Sequence, residues 1–311
     1  MEKIAILDIG SNSVRMDLIA TMPEGKFHYL GRFRKLVKLS EGMGNGEELK
    51  PVPMCRTIDA LKGFAEKIKE EKITAVYAFA TAAVRKAKNG EVFCKLAAEK
   101  TGIRIRVISG EQEAQYDLMG VLGTLPVENC VVVDTGGGST EIIGVQKRQQ
   151  IGKISLPLGA VSLTEHFFGD GETPEAFQNV KLYCETEIRK IEFLQKCGGF
   201  PLVGLGGSLA AAALVDAAVS GRGVQLHGYT MPIESVSDAA EKILQTPIKE
   251  RLHLGIEQGR EGTAVCGMLP GLAVGRQIIS DKLVICTGGL REGVLFSILD
   301  RKEKNGKLEK I

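Results

Sequence analysis

Twice in 311 residues the chain runs an aliphatic strand into an acid–glycine turn and out again through small hydroxyl residues. The first copy is Ile4-Ala5-Ile6-Leu7, then Asp8-Ile9-Gly10-Ser11-Asn12-Ser13, then a mainly apolar run from Val14 to Ala20. The second is Cys130-Val131-Val132-Val133, then Asp134-Thr135-Gly136-Gly137-Gly138-Ser139-Thr140-Glu141, then Ile142-Ile143-Gly144-Val145. A polar, glycine-bearing turn between aliphatic segments reads as two strands about a tight connection. One such unit in each half predicts a duplicated domain with a cleft between the copies.

The intervening segments alternate strand and helix, which argues for α/β architecture. Pro51 to Lys72 places Ile58, Leu61, Phe64, Ala65 and Ile68 at helical spacing. Thr74 to Ala80 and Arg104 to Ile108 read as buried strands. Ser109 and Gln112 form a capping box that opens a helix running to about Leu122. A further helix starts at Thr173-Pro174-Glu175, with Val180, Tyr183, Cys184, Ile188, Ile191 and Leu194 on its apolar face. Leu202 to Leu205 leads through Gly206-Gly207-Ser208 into an Ala-rich helix. Leu283 to Cys286 repeats that pattern, followed by a helix through Leu299 and a charged tail, Arg301 to Ile311, expected to fray.

Composition excludes several classes. No apolar run approaches the length of a membrane span, and the formal charge of +2 gives no footprint for nucleic acid. The chain opens on Met1-Glu2-Lys3-Ile4 and runs directly into a strand, so no secretory leader is expected. Seven scattered cysteines without a C-x-x-C read as reduced thiols of a cytoplasmic protein. The four histidines lie too far apart for zinc-ligand spacing. Also missing are G-x-x-x-x-G-K-[ST], G-x-S-x-G and H-E-x-x-H.

The two turns and the later glycine loop carry the chemistry. Gly10, Ser11, Asn12 and Ser13, then Gly136, Gly137, Gly138, Ser139 and Thr140, then Gly206, Gly207 and Ser208, offer backbone amides and hydroxyls without bulky side chains in the way. Phosphate oxygens are held by such a set. Asp8 and Asp134 would repel a phosphate, so their place beside these loops makes sense if they hold a Mg²⁺ ion that neutralises it. Either turn alone reads as a plain hairpin; two in corresponding positions point to a ligand.

Taken in order, Asp8 to Ser13, Ala80-Thr81-Ala82-Ala83-Val84-Arg85, Ser109-Gly110-x-x-Glu113-Ala114, Asp134 to Glu141 and Leu290-Arg291-Glu292-Gly293 resemble the exopolyphosphatase / guanosine-pentaphosphate phosphatase (Ppx/GppA) family. The resemblance covers essentially the whole chain. It implies an α/β fold of two ribonuclease-H-like domains, of the actin/Hsp70/sugar-kinase type, flanking a central cleft. The domains would span 1–124 and 125–296, with a C-terminal helix of about 297–311 packing back on the first. It also implies Mg²⁺-dependent release of terminal phosphate from inorganic polyphosphate or guanosine pentaphosphate, and a homodimer. Glu113 would be the catalytic base, Arg85 would grip phosphate, and Glu141 would place the water or metal. The chain departs from the family pattern at Gln112, where a second Glu is usual, and at Arg260-Glu261-Gly262, where Arg-Ala-Asp is usual. The HD-type α-helical domain of longer relatives is not expected.

From the residues alone, Glu111 and Glu113 also read as first-turn acids that complement a helix dipole. Arg85 equally reads as a solvated strand end, Glu141 as a cross-strand partner, and Arg291–Glu292 as an internal salt bridge. Arg32, Arg34, Lys35 and Lys38 form a basic stretch that would either guide a polyanion or simply face solvent. Competing functions are an actin-like small-molecule kinase, a nucleotide or alarmone sensor without turnover, and a filament-forming actin relative.

Overall fold

A computed structural model describes residues 2–44, 48–169 and 171–305. The chain divides into two compact units, one built from 1–120 with 290–311 and the other from 121–289. The last six positions of the charged tail, 306–311, lie outside the described residues.

In the first unit, β1 (Glu2–Ile9) and β2 (Ser13–Thr21) pair antiparallel about the first acid–glycine turn, and β3 (Phe27–Leu36) pairs antiparallel with β2. Then come α1 (Pro51–Glu70), β4 (Ala75–Ala80), the short α2 (Ala82–Lys86), α3 (Gly90–Thr101), β5 (Ile105–Val107) and α4 (Gly110–Thr124). β4 lies parallel to β1, and β5 parallel to β4. The sheet order is therefore β3-β2-β1-β4-β5. Ile4 through Leu7 are all buried because β1 sits centrally and is covered on both faces. On one face Leu7, Leu18 and Ala78 pack with Ile58, Leu61 and Phe64 of α1 and Phe93 of α3.

Sequence periodicity missed β3. Its exposure alternates from Phe27 to Phe33, the mark of an edge strand with one face on the core, but the run of basic residues obscured that pattern. Arg32 stands opposite Asp17 and bonds to its carboxylate, while also pairing with Glu292. At Arg32, then, the basic stretch is part of a charge network and not a bare solvated track.

In the second unit, β6 (Cys130–Thr135) and β7 (Thr140–Gln146) pair antiparallel about the second acid–glycine turn, and β8 (Gln149–Leu156) follows antiparallel. After α5 (Ala160–Phe167) and α6 (Pro174–Arg189) come β9 (Leu202–Leu205), α7 (Gly206–Ser220), β10 (Thr230–Pro232), α8 (Ser235–Leu244), α9 (Ala264–Gln277) and β11 (Lys282–Ile285). β9 runs parallel to β6, and β11 parallel to β9, giving the order β10-β11-β9-β6-β7-β8. Setting aside β10, an antiparallel edge addition, this is the first unit's topology again. Both units are ribonuclease-H-like: three antiparallel strands extended by two parallel ones. α9 is buried along nearly its whole length, packed against α5, α6, α7 and α8.

Helix α6 starts as its sequence requires, with the Thr173 hydroxyl accepting from the Ala176 amide at 3.1 Å and Pro174 in the first turn. It stops at Arg189, so Ile191 enters the core from the extended residue before a 3₁₀ segment (Glu192–Cys197) and Leu194 from that segment, neither from the helix. Tyr183 is exposed, its ring against Phe167; the buried stripe is Phe177, Val180, Cys184 and Ile188.

The chain finally returns to the first unit as α10 (Leu290–Asn305). Val294, Leu295, Ile298 and Leu299 close the second face of the sheet, over Ile4, Ile6, Tyr77 and Phe79. Gly293 is required here, since a Cβ would lie 1.8 Å from the Tyr116 carbonyl oxygen of α4. Among the described residues, no helix is long and apolar enough to cross a membrane.

Candidate active-site residues

The two acid–glycine turns close with the same bond. Gly10 N–H donates to Ser13 O at 3.1 Å, and Gly136 N–H donates to Ser139 O at 2.9 Å. Each turn then has its carbonyls engaged from behind. In the second unit, Ala160 N–H donates to Gly136 O, and the amides of Val161 and Ser162 donate to Gly137 O. The first turn of α5 thus spends its orphan amides on the glycine loop. The approach is close enough that a Cβ on Gly159 would lie 2.3 Å from Gly137 O. Among the described residues of the first unit no helix plays this part. The amides of Val37 and Lys38 both donate to Asn12 O, and Ser40 N–H donates to Ser11 O.

Asp8 and Asp134 occupy equivalent places at the ends of β1 and β6, facing Arg15 and Glu141 across their hairpins. Asp8 keeps a little solvent exposure, but the surrounding protein desolvates its carboxyl and raises its pKa. The charges of Arg15 and Arg291 oppose that rise. Asp134 lies against the start of α7: a Cβ on Gly206, whose φ is +82°, would sit 2.8 Å from Asp134 Oδ1.

Glu141 is only 1% exposed, and a carboxylate so placed needs donors. Two hydroxyls meet one oxygen: Ser139 Oγ donates to Oε1 at 2.9 Å and Ser155 Oγ at 2.6 Å. Sequence reasoning missed Ser155. It stands opposite Glu141 on β8, and only strand pairing, invisible in a linear motif, connects the two. Thr140 turns inward, its hydroxyl donating to Leu158 O at 2.7 Å and lying at hydrogen-bond distance from the Thr135 hydroxyl, so its side chain braces the hairpin.

At the third glycine loop, Gly206 to Ser208 form the first turn of α7. Arg260 lies over this turn, with Nε 2.5 Å from where a Gly207 Cβ would be, and donates from Nε to Glu257 at 2.9 Å. The Ser208 hydroxyl is buried and has no hydrogen-bond partner among the described residues. The Glu261 carbonyl beside Arg260 is held by the buried Arg251, which also forks onto Glu172. Gly262, where the family pattern has Asp, meets nothing within 4 Å of an added Cβ.

In the first unit, Ser109 and Gln112 make the capping box in full: Gln112 N–H donates to Ser109 Oγ, and Ser109 N–H to Gln112 Oε1, both at 3.1 Å. The amide oxygen of Gln112 performs the capping that a glutamate would, so this departure from the family pattern leaves the helix start intact. Glu113 follows in the first turn of α4. Arg85 lies in helix α2, not at a strand end, and its Nη1 donates to Glu113 Oε2 at 2.8 Å and to Ile108 O at 3.0 Å. The sequence offered these two as separate parts; the fold makes them an ion pair.

The sequence alone allowed Arg291 and Glu292 to pair with each other; the fold gives both of them partners on other elements. Arg291 bonds to Asp17, and Glu292 to Arg32 and Tyr29. Among the described residues, no group of three or more His, Cys, Asp or Glu side chains is gathered as a metal-ligand set.

The sequence model of the Ppx/GppA phosphatase family matches residues 18–302. A Haemophilus influenzae protein provisionally named an exopolyphosphatase is 31% identical over 98% of this chain and 93% of its own length. The crystal structure of the Aquifex aeolicus member of the Ppx/GppA family is 30% identical, with a TM-score of 0.78 over 98% of this chain and 99% of that one. An exopolyphosphatase structure from Cytophaga hutchinsonii has the same fold, with a TM-score of 0.88 at 23% identity over 96% of this chain and 98% of that one. This chain belongs to the Ppx/GppA phosphatase family.

Proposed function

We propose that this protein is a phosphohydrolase that releases terminal phosphate from inorganic polyphosphate, with guanosine pentaphosphate as the other substrate to be tested. Family membership and the exopolyphosphatase name of the Haemophilus relative support the substrate class. The observation that carries the mechanism is the Arg85–Glu113 pair. A carboxylate at a helix start, oriented by a guanidinium at 2.8 Å, has the fixed geometry that a general base needs.

In this reading Glu113 takes a proton from water as the water oxygen bonds to the terminal phosphorus. The bond from phosphorus to the bridging oxygen breaks, and the shortened chain leaves. The Gly10 and Gly136 amides close their own turns, so in this reading the phosphate oxygens would meet the rest of each loop, Ser11 to Ser13 and Gly137 to Ser139. Arg85 would orient the base and contact the transferred phosphoryl group.

Asp134 and Glu141 would hold Mg²⁺ in the second unit, with Asp8 the corresponding acid of the first. Their ligands are all hard oxygens, and Asp134 and Glu141 face each other across one hairpin, which suits an ion that keeps several waters. When bound, Mg²⁺ offsets the phosphate charge. The protein is then a Mg²⁺-dependent enzyme of the cytoplasm that acts on a polyanion and needs neither nucleic acid nor membrane; a homodimer is the assembly to look for.

Phosphate release should be measured side by side from long-chain polyphosphate and guanosine pentaphosphate, with Mg²⁺ and with chelator. Glu113→Gln should lower kcat by about 10²–10⁴-fold, the usual contribution of a positioned base. Chelation should abolish release from both substrates. A wild type no faster than Glu113→Gln on either substrate would remove the catalytic reading.

A further inference from the structure

Behind the Ser11–Asn12 turn stands a support that the phosphate chemistry does not use. Val37 and Lys38 direct two consecutive amides at Asn12 O, at 3.0 and 2.9 Å, and Ser40 directs its amide at Ser11 O at 3.0 Å. Two adjacent amides can converge on one oxygen because the backbone turns sharply here: Lys38 has a φ of +46°, in the left-handed region. Within the turn the Glu41 amide donates to Lys38 O at 3.0 Å, and a side chain from outside holds the same carbonyl.

The holding group is Arg56 of α1. Its Nε donates to Val37 O, and its Nη2 to Lys38 O at 3.3 Å and to the Glu41 carboxylate at 2.6 Å. One planar guanidinium thus engages two carbonyls and one carboxylate of the same turn, a geometry that suits its rigid fork. In the second unit the equivalent support is backbone alone, the first turn of α5 on Gly136 and Gly137. The first unit replaces that helix with a turn held in place by a side chain.

We infer that Arg56, with Glu41, is a positioning residue for the Ser11–Asn12 phosphate loop and so helps set affinity for the substrate's phosphates. This rests on reading that loop as a phosphate cradle. Arg56 touches no reacting atom. It acts through the 37–41 turn on two carbonyl oxygens, and through them on the direction of the amides beyond. Its side chain is 37% exposed and lies outside the apolar core, so replacing it does not open a cavity.

The test is Arg56→Ala, Arg56→Lys and Glu41→Gln, each first shown by thermal melting to be folded. Steady-state phosphate release from polyphosphate is paired with hydrogen exchange of peptides covering residues 9–14 and 36–44. For Arg56→Ala, KM should rise about tenfold with kcat within about twofold, because the loop binds the ground state and transition state alike. Amide exchange should accelerate in those two peptides and in no others. Arg56→Lys should recover only part of the loss, since a point charge cannot serve three acceptors in a plane, and Glu41→Gln should give a smaller shift in the same direction.

Unchanged KM and unchanged exchange at 9–14 in folded Arg56→Ala would overturn the inference. So would a fall in kcat at constant KM. Should Arg56→Ala not fold, Glu41→Gln carries the same two readouts and decides alone. If the wild type releases no phosphate, the functional reading fails. The exchange result still reports separately whether Arg56 holds the loop.

Discussion

Ile279 is held in a backbone conformation that β-branched residues rarely adopt. It has a φ of +52°, is 82% exposed, and sits just past the end of α9, where its amide reaches back to Arg276 O. A β-branched residue in the left-handed region costs about 1–2 kcal/mol, and glycine is the usual occupant after a helix. Part of the gain from replacement is offset by the greater freedom of glycine in the unfolded chain. Ile279→Gly should therefore stabilise the protein by about 1 kcal/mol and raise Tm by about 2 °C, read by calorimetry. A lower Tm would contradict the assigned backbone conformation. The cysteines give a second prediction at this scale. Burial pushes the thiols of Cys130, Cys184 and Cys266 up to about 12, whereas Cys55 is exposed. At pH 8 iodoacetamide should modify Cys55 first, the half-buried Cys94 more slowly, and the five buried thiols only after unfolding, as mapped by peptide mass spectrometry. Early labelling of Cys266 would mean that α9 is not packed as described.

Turns and caps were the most legible elements. Ser109/Gln112 and Thr173/Pro174 announce their helices because capping is a contact between residues three apart, which a linear sequence contains in full. Both acid–glycine hairpins were legible for the same reason. β3 was not, because its basic residues are explained by Asp17 and Glu292, one on a neighbouring strand and the other 260 positions away. Tyr183 was misassigned because helical spacing identifies a stripe and says nothing of where the neighbouring helix stops covering it. The packing of α5 on the glycine loop yields a test. Gly159→Ala sets a methyl 2.3 Å from Gly137 O and 2.4 Å from Gly138 Cα, and neither backbone group can yield like the end of a side chain. Overpacking of this kind should cost about 1–3 kcal/mol and displace the loop, so Tm should fall and KM for polyphosphate should rise together. An unaltered KM with a lowered Tm would mean that the glycine loop does not bind substrate.

The first unit is assembled from the two ends of the chain, and it depends on the later one. Val294, Leu295, Ile298 and Leu299 cover the face of the sheet formed by Ile4, Ile6, Tyr77 and Phe79. Each buried apolar side chain is worth about 1.5–3 kcal/mol, so losing four removes as much as a typical domain's whole stability. A chain stopped after Gly289 should lose hydrogen-exchange protection throughout β1 and β4 while β6 and β9 keep theirs. Equal protection in both sheets would show that α10 is dispensable. The sequence by itself determined the duplicated strand–turn–strand units, the α/β alternation, the helix starts and the acids and glycines that make phosphate chemistry plausible. All of these rest on contacts within a few residues or on side-chain periodicity. Tertiary structure alone decided that Glu113 is paired with Arg85, that Ser155 shares Glu141 with Ser139, and that Arg56 stands behind the Ser11–Asn12 turn. Those pairings depend on which strands and helices lie side by side, and hydrophobic patterning fixes the face each element buries without naming its neighbour.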